Sequence, residues 1–351
     1  MATLTSKQFE SLAAAALAAP SADNRHVFRL EATAHGLCML GTEDFLNAPS
    51  SRRILGLISL GSAIQNLELR ASKLGLGLKI QWQPEGKESA LLARFAAAQM
   101  PAVDDPLEGA IDLRHTNRRL DFRGPKLPIV ALQQMAEDVA AVCGTGLVWL
   151  DEPARRRDAL RLIRQAETER FRNQTLHREL FTSIRFDVGW DASAPEGLPP
   201  GSLELPWFER PAFSALRHWP VQIAANLFGA HRLIGWRAAS LPCRLATHLC
   251  AVTADGEIEA AALSAGKLLQ RLWLRATTLG MSFQVFAASP LYALSGSSSI
   301  SANTQETLAT GWRKLCSGQR PFVVFRLGHA RPPTLRANRP PLDFGAGAVS
   351  D

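Results

Sequence analysis

IQNLELRASKLGLGLKIQ at residues 64–81 and LQRLWLRATTLGMSFQVF at residues 269–286 are two versions of one segment. At a constant offset of 205 they share Gln65/Gln270, Leu67/Leu272, Leu69/Leu274, Arg70/Arg275, Ala71/Ala276, Leu74/Leu279 and Gly75/Gly280, seven identities in 18 positions without a gap. The physical pattern repeats with the letters. Leu57, Leu60, Ile64, Leu67, Ala71 and Leu74 recur at alternating steps of three and four, one face of a helix. Gly75 closes that helix in the left-handed conformation, and Leu76, Leu78, Ile80 and Trp82 then alternate as in a half-buried strand. Leu269, Leu272, Ala276 and Leu279 carry the same stripe to Gly280, before Met281, Phe283 and Val285 alternate. Any core helix followed by a strand explains the apolar pattern, but not the shared Gln and Arg. The expected fold is therefore α+β, with two tandem units meeting as a pseudo-dimer inside one chain. A broad apolar helix present in both halves is the natural pseudo-twofold contact.

The rest of the 351-residue chain fits around that pair. The N-terminal stretch, with Phe9, Leu12 and Ala16 in helical spacing, reads as an amphipathic helix ending at Pro20. Between the units lie a basic segment and helix at 115–142, a short strand at 147–150 and a charged helix at 154–183. Residues 187–236 follow, rich in Pro, Gly and Trp; they read either as a flap over a cavity or as a helical extension packed on the core. The expected units are residues 1–110, a reduced first one, and 111–351, with an insertion about 187–236 and an extended tail at 330–351.

Composition narrows the function. The hydrophobic share of 46% and mean hydropathy of -0.02 are those of a globular chain. No apolar run reaches the roughly 18 residues of a spanning helix. With no targeting signal visible, the expectation is a cytoplasmic protein without a membrane partner. Five scattered cysteines form no CxxC pair, and Cys243, His248 and Cys250 lack a fourth metal ligand, so neither disulfides nor a metal is expected. The net charge of +7 comes from arginine, since only seven of the 39 basic residues are lysine. Those charges are not interleaved with stacking aromatics, so nucleic acid is not the expected partner. The Gly75-Leu76-Gly77 run lacks the third glycine of a dinucleotide fingerprint. The serines of 295–301 lack a nucleophile elbow.

Three segments carry the chemistry of a ligand site. RHTNRR at 114–119 gathers Arg114, His115, Thr116, Arg118 and Arg119 ahead of a helix, and guanidinium and hydroxyl groups are the donors a phosphate monoester needs. APSADNRHVFRLE at 19–31 places Asp23 and Asn24 on a turn before a strand at 27–30, where short polar groups and backbone amides can meet a flat heteroaromatic ring. RPFVVFRLGHARPPTLRANRPPLDF at 320–344 delivers Arg326 at the end of a buried strand; its Pro/Arg-rich tail must lie across another surface.

Together these segments resemble the nitroreductase-like FMN flavoproteins, in particular the Acg-like oxidoreductases, in which two such units are fused. The resemblance implies a nitroreductase-like fold with central antiparallel-type sheets flanked by helices. It implies that Arg114, His115, Thr116 and Arg118 hold the FMN phosphate, with Arg326 as a second contact. Pro20, Ser21, Asn24, His26 and Phe28 then line the isoalloxazine, and the loop of Ala287, Ala288, Ser289 and Pro290 brings backbone amides near flavin N5. The tail residues Gly328, His329, Ala330, Pro332, Pro333, Arg339, Pro341, Leu342 and Asp343 follow the same pattern. One departure stands out: His26-Val27-Phe28 occupies the place of the family's Gln-Pro-Trp.

By the same resemblance, the expected activity is hydride transfer from NAD(P)H to a small electron-poor acceptor through FMN. No catalytic protein acid or base is then required. The alternative is a protein that sequesters FMN under a lid with little turnover. The turn lies in the first half and the arginine clamp in the second, so one complete site per chain is expected, in a monomeric pseudo-dimer or a homodimer.

Overall fold

The structure, a computed structural model, describes residues 3–86, 89–294 and 299–341. Leu342, Asp343 and the rest of the tail beyond 341 lie outside the described residues, as do 295–298 of the serine run.

The first half runs α1 (Ser6–Leu17), β1 (Phe28–Thr33), β2 (Gly36–Gly41), α2 (Glu43–Leu46), α3 (Ser50–Lys73), β3 (Leu76–Trp82) and β4 (Leu91–Gln99). Thr5 and Gln8 close a capping box at the start of α1, satisfying two otherwise free amide groups. The second half runs α4 (Ile129–Ala140), β5 (Thr145–Trp149), α5 (Pro153–Arg172), α6 (Gln174–Ser183), α7 (Arg210–Leu216), α8 (Trp219–Leu227), α9 (Ala230–Gly235) and α10 (Leu241–Leu245). It continues through β6 (His248–Ala254), α11 (Ile258–Thr278), β7 (Ser282–Phe286), α12 (Ala288–Ala293), α13 (Ala302–Leu315) and β8 (Pro321–Gly328).

Two four-stranded antiparallel sheets result, ordered β1-β2-β4-β3 and β5-β6-β8-β7. Their registers agree residue for residue. The rung Ala32–Leu37–Phe95–Ile80 in one sheet corresponds to Trp149–Cys250–Phe325–Val285 in the other. Both ladders slip at the same point, between Met39 and Leu40 and between Val252 and Thr253. A bulge bends a strand and sharpens its twist, so the two sheets share curvature as well as order.

The repeated segments supply α3–β3 and α11–β7. Gly75 and Gly280, at φ +71 and +67, end the two helices. The shared arginines each hold a buried carboxylate beyond the sheet: Arg70 and Lys73 grip Glu108, while Arg275 (2.8 Å) and Arg271 (3.0 Å) grip Asp138. Gln270 donates to Asn66 Oδ1 at 2.7 Å across the helix pair, and Asn66 donates to Ala15 O. Around these polar links, Leu57, Leu60, Leu67, Leu268 and Leu272 are fully enclosed in a core that both sheets share.

The halves differ in what joins the strands. Two residues, Ala34 and His35, connect β1 to β2, whereas β5 and β6 are separated by all of α5 to α10. The added stretch is thus wider than 187–236. The charged helix expected at 154–183 is two helices, broken at Asn173, whose extended backbone (φ -103, ψ 124) lets its side chain cap α6 through Thr175 N and Leu176 N. No helix among the described residues is long and apolar enough to cross a membrane.

Candidate functional site

Between the halves opens a cavity of about 1370 Å³. Small-molecule pockets are typically about 300–1,000 Å³, so it can take a nucleotide-sized ligand with room beside it. The turn after α1, the N-terminal half of α3, the 111–118 segment, the end of α11 and the β7–α12 junction form its floor and sides. The stretch from 198 to 238 builds the opposite wall, and Leu335, Arg336, Ala337 and Arg339 of the tail close part of the rim.

The wall from the insertion is apolar, with Leu203, Phe213, Leu216 and Ile234. The other end is cationic. Arg114 is buried over the Trp273 ring at 4.5 Å; it donates one bond, to Ala18 O, and leaves its Nε without a partner. Burial and the neighbouring Arg339 guanidinium push the Arg114 pKa well below its usual value. Arg118 donates to Ser202 O at 3.2 Å; burial lowers it too, only partly offset by Asp23 and Glu204. His115, bonded through Nδ1 to Leu113 O, is pushed down by burial, with Arg336 and Arg114 adding repulsion. Arg114, buried beside Arg339 with its Nε unpartnered, is a cation that an anion at this end of the cavity would stabilise.

The turn opposite is held in a strained shape. Asp23 and Asn24 both sit at positive φ, +54 and +55, a conformation that short polar residues tolerate better than most. The Asn24 amide nitrogen lies 3.2 Å from the carbonyl oxygens of Pro195, Gly197 and Asn338, and its Oδ1 accepts from Arg339. One side chain thereby ties the first half to both the insertion and the tail. Ser21 Oγ is buried with no partner.

Pro20, Ser21, Asn24, Arg114, His115, Thr116, Arg118 and Ala288 all line this one cavity. Phe28 and Pro290 do not, nor do Arg326, Ser289 and His26. Arg326 is fully enclosed, and its guanidinium is spent inside the protein: Nε donates to Gln284 Oε1 at 2.8 Å, Nη1 to Pro242 O at 3.0 Å and Nη2 to Arg119 O at 2.5 Å. It also lies over the Phe122 ring at 3.8 Å, so it braces the segment that carries Arg118 rather than reaching a phosphate. Ser289 accepts from Trp312 Nε1 at 2.9 Å and faces the second core instead of the cavity. His26 packs edge-on against Phe28 with both ring nitrogens unpartnered. Burial, then Arg339 and Arg114, lowers its pKa from 6.5 to about 3, so the ring is neutral.

Several lining residues carried no sequence signal. Arg52 pairs with Asp23 at 2.8 Å and Glu179 at 3.2 Å. Arg170 pairs with Glu167 at 3.2 Å, and Trp273 floors the cavity beneath Arg114. Arg52 and Arg170 are each one of several charged residues on α3 and α5, and Trp273 belongs to the apolar stripe of α11. His248 is also explained by packing: its Nε2 accepts from Leu127 N at 3.0 Å and its Nδ1 donates to Asp151.

The equivalent position on the other side of the helix pair holds a groove of about 470 Å³. Ser264 and Lys267 stand there 205 residues beyond Ser59 and Ser62, and Glu68 stands where the large cavity has Trp273. Lys267 Nζ and Glu68 Oε1 form an ion pair at 2.7 Å across it. No guanidinium clamp like that of Arg114 and Arg118 faces this groove; its arginine, Arg271, is engaged by Asp138.

The sequence matches no protein-family model and no curated protein. Among solved structures the chain is similar to an FMN-dependent nitroreductase from Mycobacterium smegmatis in complex with NADPH, at 19% identity over 64% of this chain and 87% of that one, with a TM-score of 0.33. It is similar to a nitroreductase with bound FMN from Desulfitobacterium hafniense (15% identity, 68% and 95% covered, TM-score 0.32). A third, with bound FMN from Bacteroides fragilis, gives 10% identity, 71% and 100% covered, and a TM-score of 0.35.

Proposed function

We propose that the chain is an FMN-dependent oxidoreductase of the nitroreductase type, built from two tandem units with one cofactor site between them. The observation that carries this reading is buried Arg114, with its Nε unpartnered and Arg339 as a cationic neighbour, on one cavity with the unpartnered Ser21 Oγ. Arg114, His115, Thr116 and Arg118 would hold the phosphate, which supplies the missing counter-charge and accepts from the orphaned Arg114 Nε. Pro20, Ser21 and Asn24 would flank the ring, with Ser21 Oγ free to bond it. The backbone of 286–288 forms the facing edge. Bound there, FMN would supply the redox chemistry of hydride transfer between NAD(P)H and a small electron-poor acceptor. The protein's own contribution is to hold the ring, exclude water with the insertion and leave apolar space beside it. Tandem duplication is supported by the matched registers and bulges of the two sheets, and the units are assigned to 1–110 and 111–351.

The absorption spectrum tests the proposal. Purified protein should be yellow and should bleach rapidly under NADPH or NADH without oxygen. Colourless protein that binds no added FMN would overturn the cofactor assignment. Bound flavin that resists both nucleotides would favour a second reading, sequestration, which has its own support: Asn24 fastens both the insertion and the tail over the cavity.

A further inference from the structure

The insertion exposes an apolar face at the mouth of the cavity. Trp207 (79%), Phe208 (63%), Leu227 (82%), Phe228 (93%) and Leu233 (64%) stand largely in solvent. Phe208 and Leu233 also line the cavity, so the exposed face is continuous with its apolar wall. Lone exposed hydrophobics are ordinary, but several large ones within one short stretch mark a contact surface; Trp207 and Phe208 lie in the turn before α7, Leu227 and Phe228 at the end of α8, and Leu233 on α9. The charge around them is mostly basic; the acid beside Phe208, Glu209, is paired with Arg237. From Arg210 to Arg244 there are five arginines and two histidines, and no Asp or Glu. Arg210 and Arg217 are spent over the Trp190 and Phe186 rings, and Arg237 on Glu209. Arg232 and Arg244, both exposed, make no ion pair among the described residues.

We propose that this exposed apolar face, running from the turn before α7 to α9, seats the protein on an anionic lipid bilayer. Exposed aromatic and leucine side chains with an excess of basic residues around them are what an interfacial segment presents to headgroups and upper acyl chains. A second copy of the chain fits the same face less well, because a symmetric contact would set unpaired arginines against each other. Docking here turns the cavity mouth toward the membrane, so an apolar ligand dissolved in the lipid would reach the cavity without crossing water. Such a contact needs no spanning helix, and its confirmation would add a membrane surface to a partner list that the sequence alone leaves without one. It stands apart from the flavin assignment, since neither the face nor its charge depends on what fills the cavity.

Flotation of the purified full chain with vesicles of phosphatidylcholine alone, and of phosphatidylcholine mixed with phosphatidylglycerol, tests it. The protein should rise with the anionic vesicles and be released by salt. The double variant Leu227→Ser/Phe228→Ser should weaken binding by about tenfold or more, since each lost apolar side chain removes buried area. Arg232→Glu should weaken it about fivefold or more, in line with the per-charge attraction to anionic lipid. Unchanged far-UV circular dichroism keeps both variants interpretable. Protein that stays in the aqueous fraction with both vesicle types overturns the proposal. So does a dimer in sedimentation that Leu227→Ser/Phe228→Ser splits into monomers, which would assign the face to a second copy.

Discussion

Gly61 and Gly266 hold equivalent places on the two central helices, 205 residues apart, and each leaves room for the other's chain. A Cβ on Gly61 would lie 2.0 Å from the carbonyl oxygen of Leu263, and one on Gly266 would lie 2.1 Å from that of Ile58. In both directions the oxygen belongs to the residue three positions before the partner glycine. Ser62 adds a bond to the Gly266 carbonyl at 2.9 Å.

Alanine favours an exposed helix over glycine by about 1 kcal/mol. Here the obstacle is backbone, which cannot swing aside, so overpacking wins. Gly61→Ala and Gly266→Ala should each cost about 3 kcal/mol or more. Urea titrations should show a lower midpoint with little change in slope.

Arg118→Ala and Arg114→Ala should weaken FMN retention by about 1.5–3 kcal/mol each, the worth of a charge-assisted bond to phosphate. Arg326→Ala should act differently. It strands two carbonyl groups and Gln284, so the loss of about 3 kcal/mol should appear in unfolding of the flavin-free protein. Paired fluorescence titrations and denaturation curves separate the two effects.

Titration of the chain with FMN should saturate at one per chain. The groove opposite is bridged by Lys267 and Glu68 and has no free guanidinium clamp. Lys267→Ser should leave the stoichiometry unchanged, as read by quenching of flavin fluorescence.

His26 gives stability a pH dependence with a definite sign. Its folded pKa of about 3 lies below the ordinary 6.5, so the unfolded chain binds the proton first. Its contribution is complete above pH 6.5, falls as pH drops from 6.5 toward 3, and levels off below that. Glutamine does not titrate there, so His26→Gln should flatten this part of the profile in denaturation midpoints measured between pH 7.5 and pH 4.

Asn24 can be dissected by two substitutions. Asn24→Gly keeps the positive φ and removes the amide; Asn24→Ala removes the amide and adds roughly 1 kcal/mol of left-handed strain. Both should expose the 330–341 tail to limited proteolysis, and the alanine variant should unfold at the lower urea concentration.

Much of this architecture was readable from the sequence because it is local. Each copy of the helix–Gly–strand repeat, the phosphate-type cluster at 114–118 and the Ser21–Asn24 turn lies within about twenty residues, and the second copy, the cluster and the turn meet at one cavity. What was not readable depends on distant partners. Arg326 has the sequence position of a ligand contact, but its bonds go to Gln284, Pro242 and Arg119. The extent of the insertion was hidden because the charged α5 looks like a surface helix of the frame. Gly61 and Gly266 gave no signal because a helical glycine reveals a close approach only when the opposing backbone is known.

The different strand connections give the two sheets different folding costs. β1 finds β2 across two residues, while β5 must wait for about a hundred residues before β6 arrives. Loop closure alone separates those events by about 3 kcal/mol of chain entropy. The N-terminal sheet and its helix can therefore assemble while the insertion is still being synthesised, and α3 then stands ready as the template on which the later half condenses. On this cost alone, the sheet of β1 to β4 is expected to form before the one that waits for β6.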